Sequence, residues 1–257
     1  MMIRTSLRLA LSLVLLCASP AAAVVLRHDK PDSASVELGV RFDAAGEIVG
    51  IGGCTLIAPT WGVTAAHVAA AVPKSGGQVR FGDELIAIRR VVIHPEGSGP
   101  KDRPPEVDLA LVELAGPVKG TRPLAIYRGR EELGKTVYLV GYGDYGNPKS
   151  GVTRTDGRRR AATNVIDDAG PLRIFMPFDE PPLGTAMEGV SGPGDSGGPA
   201  LMEIGEKLFV VGVSSGAMGG RPEQYAITDV YTRISAHVAW IDGILAGNDG
   251  RPERVLR

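Results

Sequence analysis

From about residue 45 onward the chain alternates short apolar runs with turn-forming clusters. The runs fall at 47–57, 79–92, 108–114, 136–142, 172–176 and 208–214. Several carry the period-two alternation of a half-buried strand, and the glycines and prolines between them suit tight connections. One stretch reads differently. Ile234, Val238, Ile241 and Leu245 recur at helical spacing, with Ser235 placed to cap the first turn. The pattern therefore predicts an all-β protein with one terminal helix. Apolar positions thin out over 94–106, 122–134 and 146–163, and the middle segment marks the expected domain boundary.

The two ends fall outside this pattern. Arg4 and Arg8 precede an unbroken apolar stretch over 9–17, Pro20 interrupts it, and Ala21-Ala22-Ala23 offers a small-residue cleavage site. This is the layout of an export signal over 1–23. Read as an uncleaved anchor it would make a weak span, because Pro20 and the alanines dilute it. Residues 247–257 are mostly polar and read as a flexible tail.

Composition narrows the class. The 257 residues are 44% apolar, with 35 glycines and 19 prolines, enough for two compact β cores and unsuited to long helices. Loss of Arg4 and Arg8 with the signal would take the formal net charge from −1 to about −3, which argues against a nucleic-acid partner. Of the two cysteines, Cys17 would leave with the signal. Cys54 remains alone, so no internal disulfide is expected, and its apolar flanks suit a buried structural thiol. His28, His94 and His237 show no metal-ligand spacing, and no phosphate-binding loop or cofactor motif is present, so neither metal nor cofactor is expected. Arg158-Arg159-Arg160 is the one notable charge run and reads as a solvated loop.

Candidate chemistry lies in three places. Gly194-Asp195-Ser196-Gly197-Gly198-Pro199 holds a serine in a glycine-rich turn. Trp61-Gly62-Val63-Thr64-Ala65-Ala66-His67 ends an apolar strand in small residues and a histidine, and Asp108-Leu109-Ala110-Leu111 opens a strand with an aspartate. A serine hydroxyl needs a base for its proton, a group to orient that base, and donors for the oxyanion that forms. These three segments contain one of each. Together, and in this order, they resemble the trypsin and chymotrypsin family of serine endopeptidases. The likeness extends to Gly53-Cys54-Thr55-Leu56-Ile57, Gly212-Val213-Ser214-Ser215-Gly216 and Val230-Tyr231-Thr232-Arg233-Ile234, and so spans nearly all of the chain after residue 23.

The resemblance implies two six-stranded antiparallel β-barrels with a C-terminal helix, divided as 24–125 and 126–246. It implies His67 as general base, Asp108 as its orienting acid and Ser196 as nucleophile, with the N–H groups of Gly194 and Ser196 as the oxyanion hole. By the same likeness Ser214 supports the aspartate, Gly216 pairs with substrate backbone, and Val190, Ser191, Ser214, Ser215, Gly216 and Asp229 form the substrate-binding region. In the family the ammonium of a newly cut N-terminus pairs with the residue at Asp195. Val24 directly follows the expected cleavage site and would supply that ammonium.

The chain also departs from the family. Gly52 and Val68 stand where two bridged cysteines are usual, Gly192 replaces another cysteine, and Ser215 replaces a large aromatic residue. Val190 stands where trypsin carries its pocket carboxylate, while Asp229 replaces a pocket glycine. Asp229 would receive an Arg or Lys side chain, or else fill the pocket or turn away. With basic selectivity, the run at 158–160 would become a self-cleavage site. The expected partner is a protein or peptide substrate met after secretion, by a monomer without stable membrane association. Two other classes fit parts of the chain. One is a non-catalytic binding protein on the same fold. The other is a Gly-x-Ser-x-Gly esterase, disfavoured because Pro199 prevents a helix after the serine and the acid and base precede it.

Overall fold

A computed structural model describes residues 24–97, 107–153, 155–221 and 224–247. The expected signal over 1–23 and all of the expected tail beyond Gly247 lie outside the described residues. The apolar runs become strands, with two corrections of extent. Residues 47–57 form a hairpin that turns at Gly50 (φ 71°), and 79–92 form another that turns at Gly82 (φ 57°), both in the left-handed region that glycine adopts without cost.

The chain begins with β1 (Val25–Leu26) and helix α1 (Asp32–Gly39). Next come β2 (Ala45–Ile48), β3 (Gly52–Ala58), β4 (Trp61–Thr64), the short helix α2 (Ala66–Ala71), β5 (Gln78–Phe81), β6 (Glu84–Ile93) and β7 (Ala110–Leu114). The strands β2 to β7 close an antiparallel barrel in the order β2-β3-β4-β7-β6-β5. Ile48, Leu56, Val63, Val79 and Leu111 are fully buried in its core. The chain then crosses over, with Leu124 N–H still donating to Leu56 O of β3 and Tyr127 N–H donating to Val210 O of the second half.

The second half contains β8 (Ala125–Ile126), β9 (Thr136–Gly141), β10 (Tyr145–Asn147), β11 (Gly151–Thr153), β12 (Arg160–Val165), β13 (Asp168–Ala169), β14 (Arg173–Pro177), β15 (Gly189–Val190), β16 (Pro199–Ile204), β17 (Lys207–Met218), β18 (Thr228–Arg233) and helix α3 (Val238–Leu245). Its main sheet runs β12-β9-β16-β17-β18-β14-β13, with β8 alongside β17. This sheet curls without closing through a strand ladder. Asn164 of β12 spans the gap, its side-chain amide donating to Pro177 O of β14 at 2.9 Å. Val137, Leu139, Ile174, Met176 and Val211 fill the interior. Val140, Leu201, Val213, Ile234 and Ile241 instead join the first barrel's cluster, so the two halves and α3 share one apolar contact.

Three expectations need correction. Residues 24–39, grouped by sequence with the first barrel, pack on the second half: β1 lies between β10 and β15, and Ser35 Oγ donates to Ala161 O of β12. Ser235 does not cap α3; its hydroxyl donates to the buried Glu132 carboxylate at 2.6 Å, and His237 precedes the helix. The arginine run is not a solvated loop, because Arg160 is fully buried and only Arg158 is exposed. Helix α1 buries Ser35 and Gly39 and has no apolar stripe, and α2 has only six residues, so neither shows a helical period in the sequence.

Candidate active site

Thr64 ends β4, and Ala65 in extended conformation turns the chain into α2, so His67 sits in the first turn of that helix. Ala65, Ala66, Val68 and Ala69 bury the inner side, while the imidazole remains 44% exposed. Asp108 is brought alongside by the antiparallel pairing of β4 with β7, in which Thr64 lies opposite Ala110. Its Oδ1 accepts the His67 backbone N–H at 3.0 Å, and its Oδ2 lies 2.7 Å from His67 Nδ1. From the second half, Ser215 Oγ donates to Oδ2 at 2.8 Å and Thr232 Oγ1 donates to the Asp108 carbonyl at 2.9 Å. Burial alone would push the Asp108 carboxyl up. The hydrogen bonds from His67 and Ser215 outweigh it and hold the group below the usual carboxylate range. An ionised carboxylate only accepts, so Nδ1 carries the imidazole proton and Nε2 presents its lone pair.

Ser196 occupies a turn whose backbone is held from both sides. Within the turn, Gly198 N–H donates to Asp195 O at 2.7 Å, and Gly197 N–H donates to Ser214 O at 2.8 Å. From the first barrel, Gly53 N–H donates to Ser196 O at 2.7 Å. This approach requires glycine: a Cβ on Gly53 would stand 2.5 Å from Gly198 N, and one on Gly197 would strike Thr64 Oγ1. The turn thus docks on β3 and on the end of β4, just before the segment that carries His67. Among the described residues, neither the Gly194 nor the Ser196 N–H has a protein acceptor, whereas those of Asp195, Gly197 and Gly198 do. Gly194 reaches this geometry at φ 93°.

Asp195 points away from Ser196 into the protein. Its carboxylate accepts from Gly143 N–H at 3.2 Å and Gly192 N–H at 2.9 Å. Burial drives its pKa well above the ordinary value, with the Asp229 and Asp144 carboxylates adding to the rise. Val24 is buried at the start of β1, whose register sets Val25 opposite Gly146 of β10 and Val190 of β15.

Beside Ser196 lies a cavity of about 120 Å³ bounded by Ser191, Ser214, Gly216, Ala217 and Asp229. Asp229 is buried and accepts the Ser191 N–H at 2.6 Å. Ser191 Oγ in turn meets Tyr231 Oη at 2.5 Å and Ser214 Oγ at 3.4 Å. Burial pushes the Asp229 carboxyl up to about 7, with the Ser191 hydrogen bonds acting against the rise.

The two serines divide their expected roles. Ser215, expected in the substrate cleft, holds Asp108, while Ser214 lines the cavity as expected but turns its hydroxyl to Ser191 instead of Asp108. The cause is a bulge in the β17 and β18 pairing between Ser214 and Gly216, which shifts the register by one residue and turns each side chain to the other face. Val190 does not line the cavity; it packs in an apolar cluster with Val25, Phe178 and Ile227. Gly52 and Val68 do face each other, a Cβ on Gly52 standing 2.9 Å from Val68 Cγ2. Sequence reasoning missed Ala217, Tyr231 and Thr232. The signal for Tyr231 was available, because residues two apart on a strand share a face and Asp229 and Tyr231 both reach Ser191. Cys54 is buried with its thiol pushed up to about 12, as suits a structural residue.

Comparison with known proteins bears on the fold and the family. The solved structure of neuropsin, described as a serine protease expressed in the limbic system of mouse brain, superposes with a TM-score of 0.64 at 18% sequence identity, covering 86% of this chain and 99% of that one. The likeness carries the double-barrel fold. The family model for Trypsin matches residues 30–241, most of the chain. With that match, the protein belongs to the trypsin family and is a serine endopeptidase.

Proposed function

We propose that Ser196, His67 and Asp108 carry out peptide-bond hydrolysis through an acyl-enzyme. The observation that carries this reading is the Asp108 carboxylate, which accepts from His67 Nδ1 and Ser215 Oγ together and so leaves Nε2 as the basic nitrogen. Ser196 Oγ attacks the scissile carbonyl while His67 Nε2 takes its proton. Asp108 stabilises the resulting imidazolium. The unpaired N–H groups of Gly194 and Ser196 receive the oxyanion, and the imidazolium then protonates the leaving amine. In the second half, water gives a proton to Nε2 and its oxygen to the acyl carbon, and collapse of the intermediate returns the proton to Ser196. Mass spectrometry after treatment with a fluorophosphonate tests this reading. A single adduct on Ser196 is expected, lost in Ser196→Ala and strongly slowed in His67→Ala. An unmodified wild-type Ser196 would instead favour a non-catalytic binding protein.

Selection of the residue before the cleaved bond is assigned to the cavity that Asp229 bounds. A buried carboxylate with no cation beside it is costly, and an incoming Arg or Lys side chain would relieve that cost. Activation is assigned to the start of β1. Its register supports this, because the N-terminal end of β1 points toward the Gly143 and Gly192 amides that hold Asp195. An N-terminus at Val24, made by removal of an export signal, would bring an ammonium to that buried carboxylate. On this reading the enzyme acts after secretion, as a monomer on protein or peptide substrates.

A further inference from the structure

Arg160 is fully buried, a costly position for a guanidinium, yet it takes no part in the chemistry assigned above. Its Nε and Nη2 donate to the Asp32 carboxylate at 2.6 and 2.8 Å, a bidentate pair to the first residue of α1. Its Nη1 and Nη2 also donate to Asp156 at 2.7 and 3.0 Å, and Nη1 reaches Arg158 O at 3.3 Å. The guanidinium carbon lies 3.6 Å from the centre of the Tyr145 ring. The pairing is strong: the Arg160 hydrogen bond holds the Asp156 carboxyl down to about 2.

The partners of Arg160 lead to the nucleophile turn. Asp156 and Tyr145 lie on the segment from 142 to 157, which carries β10 and β11. Thr155 N–H donates to Asp144 Oδ1 at 2.7 Å, and Thr155 Oγ1 donates to the Tyr142 carbonyl at 2.5 Å. Between Tyr142 and Asp144, the Gly143 N–H is one of the two donors to Asp195. On the strand itself, Arg160 pairs with Gly141, and a Cβ on Gly141 would collide with the Asp195 carboxylate. One guanidinium therefore fixes α1 and the 142–157 segment to β12, beside the Gly141 end of β9 that backs Asp195.

We propose that Arg160 is a positioning residue for the nucleophile turn, joining α1 to the 142–157 segment so that the Gly143 amide stays on Asp195. This rests on the reading of Ser196 as nucleophile. It adds that the order of the turn depends on an internal ion-pair cluster as well as on an N-terminal ammonium. A lysine ammonium has three donors and no planar fork, against the five hydrogen bonds and ring stacking of this guanidinium, so Arg160→Lys falls short of the arginine.

The test combines kinetics with hydrogen exchange on the purified active enzyme, in Asp32→Asn, Asp156→Asn and Arg160→Lys. Asp32 is 41% exposed, so Asp32→Asn keeps the fold even where the arginine variant does not. The expected result is amide exchange faster by about tenfold in peptides covering both 142–157 and 189–197, with kcat lower by a similar factor. Faster exchange confined to 31–40, with 189–197 and kcat unchanged, would reduce Arg160 to a pin for α1 and overturn the proposal. So would loosening of 189–197 without loss of kcat. The same exchange pattern is read in a Ser196→Ala background, where it does not depend on turnover. Failure of the nucleophile reading is thereby separable from failure of this one.

Discussion

At the residue scale, the carboxylates divide according to what meets them. Asp108 receives three donors to its side chain and stays in its ionised form, whereas Asp229 receives only Ser191 and is pushed up to about 7. Asp229 prefers its proton in the folded state over an ordinary value of 3.8, so its contribution to stability is fully present below about pH 4 and is lost as pH rises through about 7. Asp229→Asn keeps an acceptor for Ser191 and removes the charge. Thermal melting across pH should show the variant gaining on the wild type between roughly pH 4 and 8, by on the order of 2–4 kcal/mol. On a peptide panel varied only before the cleaved bond, the same variant should lose preference for Arg and Lys over Leu. Parallel melting curves and an unchanged preference would remove Asp229 from the pocket's electrostatics. The pairing of His67 with Asp108 and the glycine turn around Ser196 were legible because each sits in a distinctive local sequence. The roles of Ser214 and Ser215 were not, because a one-residue bulge sets them and leaves no mark in the residue types.

At the element scale, the strands were legible from period-two alternation, while the glycine turns that split two runs into hairpins were hidden inside apolar stretches. The placement of β1 was not legible at all. Two residues carry no period, and only pairing shows that they lie between β10 and β15 on the second half. On the activation proposed above, that position directs an N-terminus at Val24 toward Asp195. A chain that keeps one extra residue before Val24 would displace the ammonium from the buried carboxylate. Its kcat should fall about tenfold or more as oxyanion stabilisation weakens, with smaller change in KM. Active-site titration beside N-terminal sequencing checks this. Full activity in a chain beginning well before or after Val24 would place the activating group elsewhere.

At the scale of the whole molecule, the site exists only where the halves meet. The first barrel supplies His67 and Asp108, and the second supplies Ser196 together with the Ser215 and Thr232 hydroxyls that hold Asp108. Without a disulfide among the described residues, the junction is maintained by shared apolar packing, by glycine contacts between β3 and the Ser196 turn, and by hydrogen bonds between the halves. The two-barrel plan followed from family motifs rather than from periodicity, since alternation reports strands and not their closure. The central claim is that residues from both halves act as one catalytic unit. Its most direct test is kcat/KM for peptide hydrolysis by Ser196→Ala, His67→Ala and the double variant. Each single change should lower kcat/KM by about 10³-fold or more, and the double variant should be no worse than the weaker single one. Additive losses, or a His67→Ala enzyme near wild-type activity, would contradict the account.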